Sequence, residues 1–526
     1  MPHPSITAKT YPHKPAIIMG STGEIVTYRE LDERSNQAAQ LFRSLGLKSG
    51  DHIGMMLENN RQFLEIVWAA QRSGLVFTPI STHLKKAETA YILQNCDAKL
   101  FIGSLALSDV AEQLVAESTG VEHYYMVGGI KPGFESWEEA TDGQPDTPIE
   151  DESNGVPMLY SSGTTGQPKG VFVSDYAKDV NTPPWAAPTL GVLFGFGEET
   201  VYLSPAPLYH AAPLHYNMMV IYNGGTSVVM EKFEPELSLK LIEEHRVTHS
   251  QWVPIMFNRL LKLPEEVRQA YDVSSMQIAI HAAAPCPIEV KEKMIEWWGE
   301  IIMEYYAASE GIGFTLIDSA NWLTHRGSVG VTLVGELHIV DDEGVEQPQG
   351  EIGTVYFGGQ QRSFRYHNEP KKTEEAYNDK GWATTGDVGY VDAEGYLYLT
   401  DRKNFTIISG GVNIYPQEVE NILAVHEKVA DVAVFGIPNE EFGEEVKAVI
   451  EPMNWADATD ETAIEIMEWL RERISSIKMP RSVDFHPKLP RMDNGKLYKR
   501  HLVEDYRAKV LGDKNTKSAE SDSPSV

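Results

Sequence analysis

The chain has 526 residues, 42% of them hydrophobic and 10% aromatic, which is too long for a single core and too apolar for a disordered protein. Its 45 Lys and Arg against 76 Asp and Glu leave a formal charge of −31, so no nucleic-acid partner is expected, since phosphate backbones need basic surface. Two distant cysteines, Cys96 and Cys286, exclude a disulfide framework or a cysteine zinc site. No apolar run approaches the ~20 residues of a membrane span, and Met1–Ser5 lacks the basic and apolar regions of a signal peptide. A cytoplasmic protein without a membrane span is expected, as a monomer or homodimer.

The first 150 residues alternate strand and helix. Strands are expected at His52–Leu57, Leu75–Pro79, Lys99–Gly103 and His123–Gly128, and helices at Arg61–Ser73 and Leu107–Ser118. Such alternation implies βαβ units and a mainly parallel sheet. Pro235–His245 and Ile288–Trp298 have helical spacing, and Val247–Val253 reads as a buried strand. Gly395–Leu399 alternates like a hairpin strand and is followed by a polar break at Asp401–Asn404. Beyond it come helices at Pro416–Val425 and Thr462–Ser475 and strands at Asp431–Gly436, Glu445–Glu451 and Arg481–His486. The fold expected is α/β: a large N-terminal domain (1–401) of mainly parallel sheets sandwiched by helices, and a small mobile α+β domain (402–510). A polar, disordered tail (511–526) follows.

Residues Tyr160–Val171 read YSSGTTGQPKGV. Gly163 and Gly166 let backbone N–H groups turn toward a ligand. Ser161, Ser162, Thr164 and Thr165 add hydroxyl donors, and Lys169 adds a cation. The set is a polyphosphate cradle without Walker A spacing, and Thr165 could lend its oxygen to a phosphate-bound Mg²⁺.

At this point the chain resembles the adenylate-forming superfamily: acyl-CoA synthetases, aryl-CoA ligases, firefly luciferase and peptide-synthetase adenylation domains. The likeness runs from about Tyr28 to Arg500, and four more segments follow in the family's order. His281–Pro287 is similar to the loop bordering adenine, where Ala282, Ala283, Ala284 and Pro285 leave room for a flat base. Tyr305, Tyr306, Ala307, Ala308, Ser309 and Glu310 resemble Tyr-Gly-x-Thr-Glu, with Ala307 for Gly and Ser309 for Thr. The resemblance implies Tyr306 along the adenine, Ser309 on a phosphate and Glu310 on Mg²⁺. Thr384–Asp387 and Asp401–Arg402 imply Asp387 on the ribose hydroxyls and Arg402 on ribose or phosphate. Leu489–Lys496 resembles the late Pro-x-x-x-x-Gly-Lys, which makes Lys496 the catalytic cation on the carboxylate and α-phosphate.

The activity implied is a two-step acid–CoA ligase using ATP, Mg²⁺, coenzyme A and a small carboxylic acid. Its small domain would rotate about Asn404, bringing the loop with Ser409, Gly410 and Gly411 to line a pantetheine tunnel. His210, in Leu203–Leu214, would gate the acyl pocket, and Trp252, Val253, Met256 and Phe257 are candidates for its wall. Together, the segments look most like the branch containing bile-acid, steroid-side-chain, fatty-acyl and phenylpropenoic ligases, which points to a bulky hydrophobic acid. Two alternatives stay open: adenylation with another acceptor (a carrier protein or luciferase-like oxidation), and a nucleotide-binding regulator without turnover. The regulator would have no need of Lys496.

Overall fold

The computed structural model describes residues 3–507 except 118, 162–166, 174–178, 181–185, 360–363, 403–404, 440, 492–496, 498 and 500–501. The expected βαβ pattern forms two sheets. One has six parallel strands, in the order Glu135–Ser136, His123–Val127, Ala98–Ser104, His52–Met56, Val76–Pro79 and Val156–Pro157. The other has nine, running Val331–Val334, Phe314–Ile317, Ile302–Ala307, Ile278–His281, His249–Trp252, Val201–Ser204, Thr226–Val229, Pro15–Met19 and Ile25–Thr27. Its central strands pair in parallel and its edges antiparallel.

Local chemistry explains the helices between them. Helix Tyr28–Ser44 starts in a capping box: Thr27 accepts from the Glu30 amide, and the Glu30 carboxylate accepts from the Thr27 amide. In helix Arg61–Arg72 every residue from Phe63 on is buried, so the helix sits inside the domain. Its last residue, Arg72, is 1% exposed and pairs with Asp32 at 3.0 Å and Glu152 at 2.8 Å. Helix Pro235–His245 begins on a proline and ends at Arg246, whose left-handed backbone (φ 50°) turns the chain into the next strand.

Several expectations need revision. Leu107–Ser118 is not one helix: a 3-10 turn at Leu105–Leu107 leads into a shorter α-helix, Ser108–Leu114, with no side-chain cap at either start. The polar break expected at Asp401 begins later, because strand Leu397–Arg402 continues through Asp401 and Arg402 in register with Val388 and Asp387. That strand closes a four-stranded antiparallel sheet with Glu336–Val340, Gly353–Gly358 and Asp387–Val391, an addition to the parallel architecture. A smaller antiparallel sheet joins Leu159–Ser161, Lys169–Val173 and Phe364–Tyr366.

Beyond residue 404 the α+β unit has long antiparallel strands, Val429–Asn439 and Gly443–Pro452, with Ser482–Phe485 parallel to the second. Its own apolar core includes Ile414, Val419, Leu423, Val434, Ile450, Ile466 and Leu470. Helix Pro254–Leu261 touches this unit: Asn258 donates to the Ala424 carbonyl at 3.4 Å, and Lys262 donates to the Val429 carbonyl. Burial there lowers the Lys262 pKa to about 8. Among the described residues, no helix is long and apolar enough to cross a membrane.

Candidate active site

Strands Leu159–Ser161 and Lys169–Val173 form a hairpin that sets Ser161 opposite Lys169. Strand Phe364–Tyr366 pairs on the other side of Lys169–Val173, with Tyr366 opposite Val171. The Lys169 ammonium therefore lies 4.6 Å from the centre of the Tyr366 ring. The Tyr366 hydroxyl donates at 2.9 Å to Oε1 of Glu310, which is buried. Burial pushes the Lys169 pKa down, with the Glu310 charge opposing it. Burial and Glu310 push the Tyr366 pKa up, which keeps that phenol a neutral donor. The result is a corner with one cation, one buried carboxylate and one fixed hydroxyl.

Strand Ile302–Ala307 splits the adjacent tyrosines between its two faces, as strand pleating requires. Tyr306 donates at 2.7 Å to Asp387 Oδ2, which also accepts from Thr385 at 2.7 Å. Tyr305 stacks on Phe314, with ring centres 5.2 Å apart, and on Tyr216 at 6.2 Å. Asp387 begins its strand opposite Arg402. The segment Ala282–Pro285 leaves the end of strand Ile278–His281.

These groups meet in one cleft of about 1990 Å³. It is lined by Ser161, Lys169, His210, Ala282, Ala283, Ala284, Pro285, Tyr305, Tyr306, Ala307, Ser309, Glu310 and Asp387. From the C-terminal unit, Arg491 and Lys499 reach its wall. Arg491 grips Asp431 through two nitrogens, at 2.5 and 2.6 Å, and Lys499 pairs with buried Glu420 at 2.7 Å. Helix Ala211–Tyr222 also lines the cleft, through residues that include Ala211, Met218 and Tyr222.

The sequence matches the AMP-binding enzyme family over residues 5–367 and that family's C-terminal domain over residues 418–496. The chain belongs to the AMP-binding enzyme family. It is similar to a long-chain-fatty-acid–CoA ligase of Mycobacterium tuberculosis, at 30% identity over 505 residues, 96% of this chain and 97% of that one. A feruloyl-CoA synthase of Amycolatopsis is 30% identical over 494 residues, 94% of this chain and 96% of its own. The solved structure of ATP-bound MatB from Rhodopseudomonas palustris aligns with a TM-score of 0.78 at 26% identity, covering 96% of this chain and 99% of that one.

In this AMP-binding enzyme, some expected site residues lie apart from the cleft. Ser409 and Gly410 line a small separate pocket beside Phe442 and Arg481, and Gly411 lines neither. Ser162, Gly163, Thr164, Thr165, Gly166, Asn404 and Lys496 lie outside the described residues, and Arg402 is placed by backbone register alone. Arg491 and Leu497, flanking Lys496 in the chain, both line the cleft. Of the proposed acyl-wall residues only Val253 reaches it. Trp252, Met256 and Phe257 are at most 1% exposed and pack into the core under the nine-stranded sheet, with Leu203, Leu239 and Trp298. Helix Ala211–Tyr222 lines the cleft as well, and nothing in its even hydrophobicity marks which of its residues do so.

Ala283 has a left-handed backbone, φ 75°, which its Cβ disfavours. Strain of this kind in a binding loop is held by its surroundings. Ala283→Gly is expected to raise thermal stability by about 1 kcal/mol through relief of that strain, read as a higher melting temperature. A lower one would mean the Ala283 methyl is packed favourably.

Sequence reading missed Tyr366, Arg491 and the buried pair Lys291–Glu304, 2.6 Å apart, of which Glu304 lines the cleft. Tyr366 sits in FRYHNEP, outside the segments that carry the resemblance.

Proposed function

We propose that this enzyme is an AMP-forming acid–CoA ligase acting on a bulky hydrophobic carboxylic acid. The observation that supports it is one continuous cleft that brings together the Lys169–Tyr366–Glu310 corner, Asp387 and the Ala282–Pro285 loop. Helix Ala211–Tyr222 lines the same cleft with Ala211, Met218 and Tyr222. A polyphosphate, a ribose, a flat base and an apolar acid would each meet matching groups in that cleft.

A carboxylate is a poor electrophile, and ATP makes it a good one. The acid's oxygen attacks the α-phosphorus, pyrophosphate leaves, and an acyl-AMP remains. Lys169, with the hairpin loop it closes, holds the phosphates, and Lys496 neutralises the carboxylate and α-phosphate as they meet. Glu310 would hold Mg²⁺, which supplies charge neutralisation on the phosphates. Its residues fit that group. Glu310 is a single hard carboxylate, so phosphate oxygens and water would supply the other donors such an ion takes. The Tyr366 hydroxyl on Glu310 Oε1 orients the carboxylate for this role.

Asp387, a buried acceptor, takes the ribose hydroxyls, and Tyr306 is tied to it so that its ring stands beside the base. In the second step a thiolate attacks the acyl carbonyl and AMP departs. Residues 402–510 would act as a mobile lid for that step, and residues 1–401 as the adenylating body.

Mass spectrometry of the product formed from acid, Mg·ATP and coenzyme A tests the reading. An acyl-CoA is expected, with one AMP per thioester. AMP and pyrophosphate without a thioester would move the acyl group to a different acceptor.

A further inference from the structure

Strand Ile302–Ala307 turns Tyr306 toward Asp387, the acceptor proposed for the ribose hydroxyls, so its neighbour Tyr305 faces the opposite side of the sheet. On that side stands helix Ala211–Tyr222, whose Tyr216 stacks on the Tyr305 ring at 6.2 Å and 24°. Phe314, on the adjoining strand Phe314–Ile317, stacks on the same ring at 5.2 Å and 14°. Tyr216 is backed in turn by Tyr202, 6.3 Å away and fully buried in strand Val201–Ser204. Four rings thus form one row, anchored in the core at Tyr202. Its other three members, Tyr216, Tyr305 and Phe314, line the cleft.

Tyr305 is half-buried. Its ring cannot swing aside without displacing two neighbours that belong to different elements, and a close-packed interior resists that. It is therefore a fixed boundary of the cleft. The surface beside it is apolar and comes from the same core cluster, with Leu190, Ala212 and Met219 lining the cleft next to the three rings. Ala212, Tyr216 and Met219 recur at i, i+4 and i+7, so they share one face of their helix. Such a wall suits a hydrocarbon body and offers little to phosphates or to the amides of a pantetheine arm.

Resting on the ligase reading, we propose that Tyr305 sets how far the acid's apolar body can extend. The body lies along the Ala212–Met219 face and ends at the Tyr305 ring. A fixed aromatic wall tolerates no excess length. A carbon too many must displace packed side chains, and a single methylene is worth about tenfold or more in kcat/KM. The selection is then a limit on length within a series of acids, whatever ring system the series carries.

The test measures kcat/KM for acid-dependent pyrophosphate release on two series: straight-chain fatty acids, and aryl-propenoic acids with para-alkyl groups, each of stepped length. Wild type is compared with Tyr305→Phe, Tyr305→Leu and Tyr305→Ala. In wild type, at least one series should rise with length and then fall about tenfold or more across one or two added carbons. Tyr305→Phe keeps the ring and should keep that cut-off. Tyr305→Leu should move it to longer acids and Tyr305→Ala further still, while the KM for coenzyme A stays as in wild type. Tyr305→Leu retains an apolar side chain, so it decides the matter if Tyr305→Ala does not fold. A cut-off unmoved in Tyr305→Leu and Tyr305→Ala, or no cut-off in either wild-type series, would overturn the proposal. So would equal loss on every acid of a series, which would make Tyr305 a structural residue. A changed KM for coenzyme A with an unchanged acid profile would also overturn it, by placing the thiol arm against this wall. Failure of wild type to release pyrophosphate with any acid would instead sink the ligase reading, and this inference with it.

Discussion

Glu310→Gln is expected to slow acid-dependent pyrophosphate release by about 100-fold or more. The change is nearly isosteric, and the amide oxygen can still accept the Tyr366 hydroxyl that Glu310 Oε1 now takes at 2.9 Å. The fold should survive, because what is lost is the negative charge rather than the contact. That charge is the one a hard divalent cation needs beside the phosphates. Tyr366→Phe tests the orienting role separately. It leaves the carboxylate in place, removes one hydrogen bond, and should cost about tenfold. Raising Mg²⁺ should partly rescue both variants. Pyrophosphate release at the wild-type rate in Glu310→Gln would take Glu310 out of the metal site.

The second large effect is on stability. Lys291→Met leaves Glu304 without its partner in a site where both are buried, and the expected loss is about 3–5 kcal/mol near neutral pH. The groups around that carboxylate offer little replacement. His281, 3.5 Å away, is held neutral by burial and the Lys291 charge, and the Cys286 thiol is pushed up by burial. Glu304 already has a raised pKa from burial, moderated by Lys291, and the substitution removes the moderating charge. A carboxyl whose folded pKa lies above its unfolded value, about 4.3, stabilises the fold below that unfolded value. The contribution fades as pH rises through the folded pKa. The melting deficit of Lys291→Met against wild type should therefore be larger at pH 8 than at pH 5. An equal deficit at both would mean that the cavity left by the lysine stem, and not the stranded carboxylate, sets the cost.

Much of the fold was legible because local and global signals agree. Pro235–His245 and Ile288–Trp298 form as helices with the bounds their spacing predicts, each opened by a proline in or just before the first turn. The sheet order was not legible. Strand Pro15–Met19 pairs with Thr226–Val229 across some two hundred residues, and no periodicity reports a partner that distant. The antiparallel sheet around Asp387 pairs segments close in sequence, and of its strands only the one at Gly395–Leu399 was read, from its alternation.

The site divides in the same way. Lys169, Glu310 and Asp387 stand in short motifs whose residue types carry their chemistry, and all three line the cleft. Tyr366 and His215 reach the cleft only through tertiary packing. Tyr366 arrives on a strand that pairs beside Lys169–Val173, and His215 is one residue of a helix that is apolar all round. Trp252 and Phe257 show the converse: an aromatic cluster near the site proved to be core, because its strand and helix turn those rings under the sheet.

The central claim is acid activation in this cleft, and pyrophosphate release tests it most directly. Wild type and Lys496→Ala would be assayed with Mg·ATP across steroid, aryl-propenoic and short- to long-chain fatty acids, with and without coenzyme A. Release that depends on the acid, favours bulky hydrophobic acids over acetate and falls at least about 100-fold in Lys496→Ala is the expected result. ATP binding with no pyrophosphate released for any acid would contradict it and leave a nucleotide-binding protein without turnover.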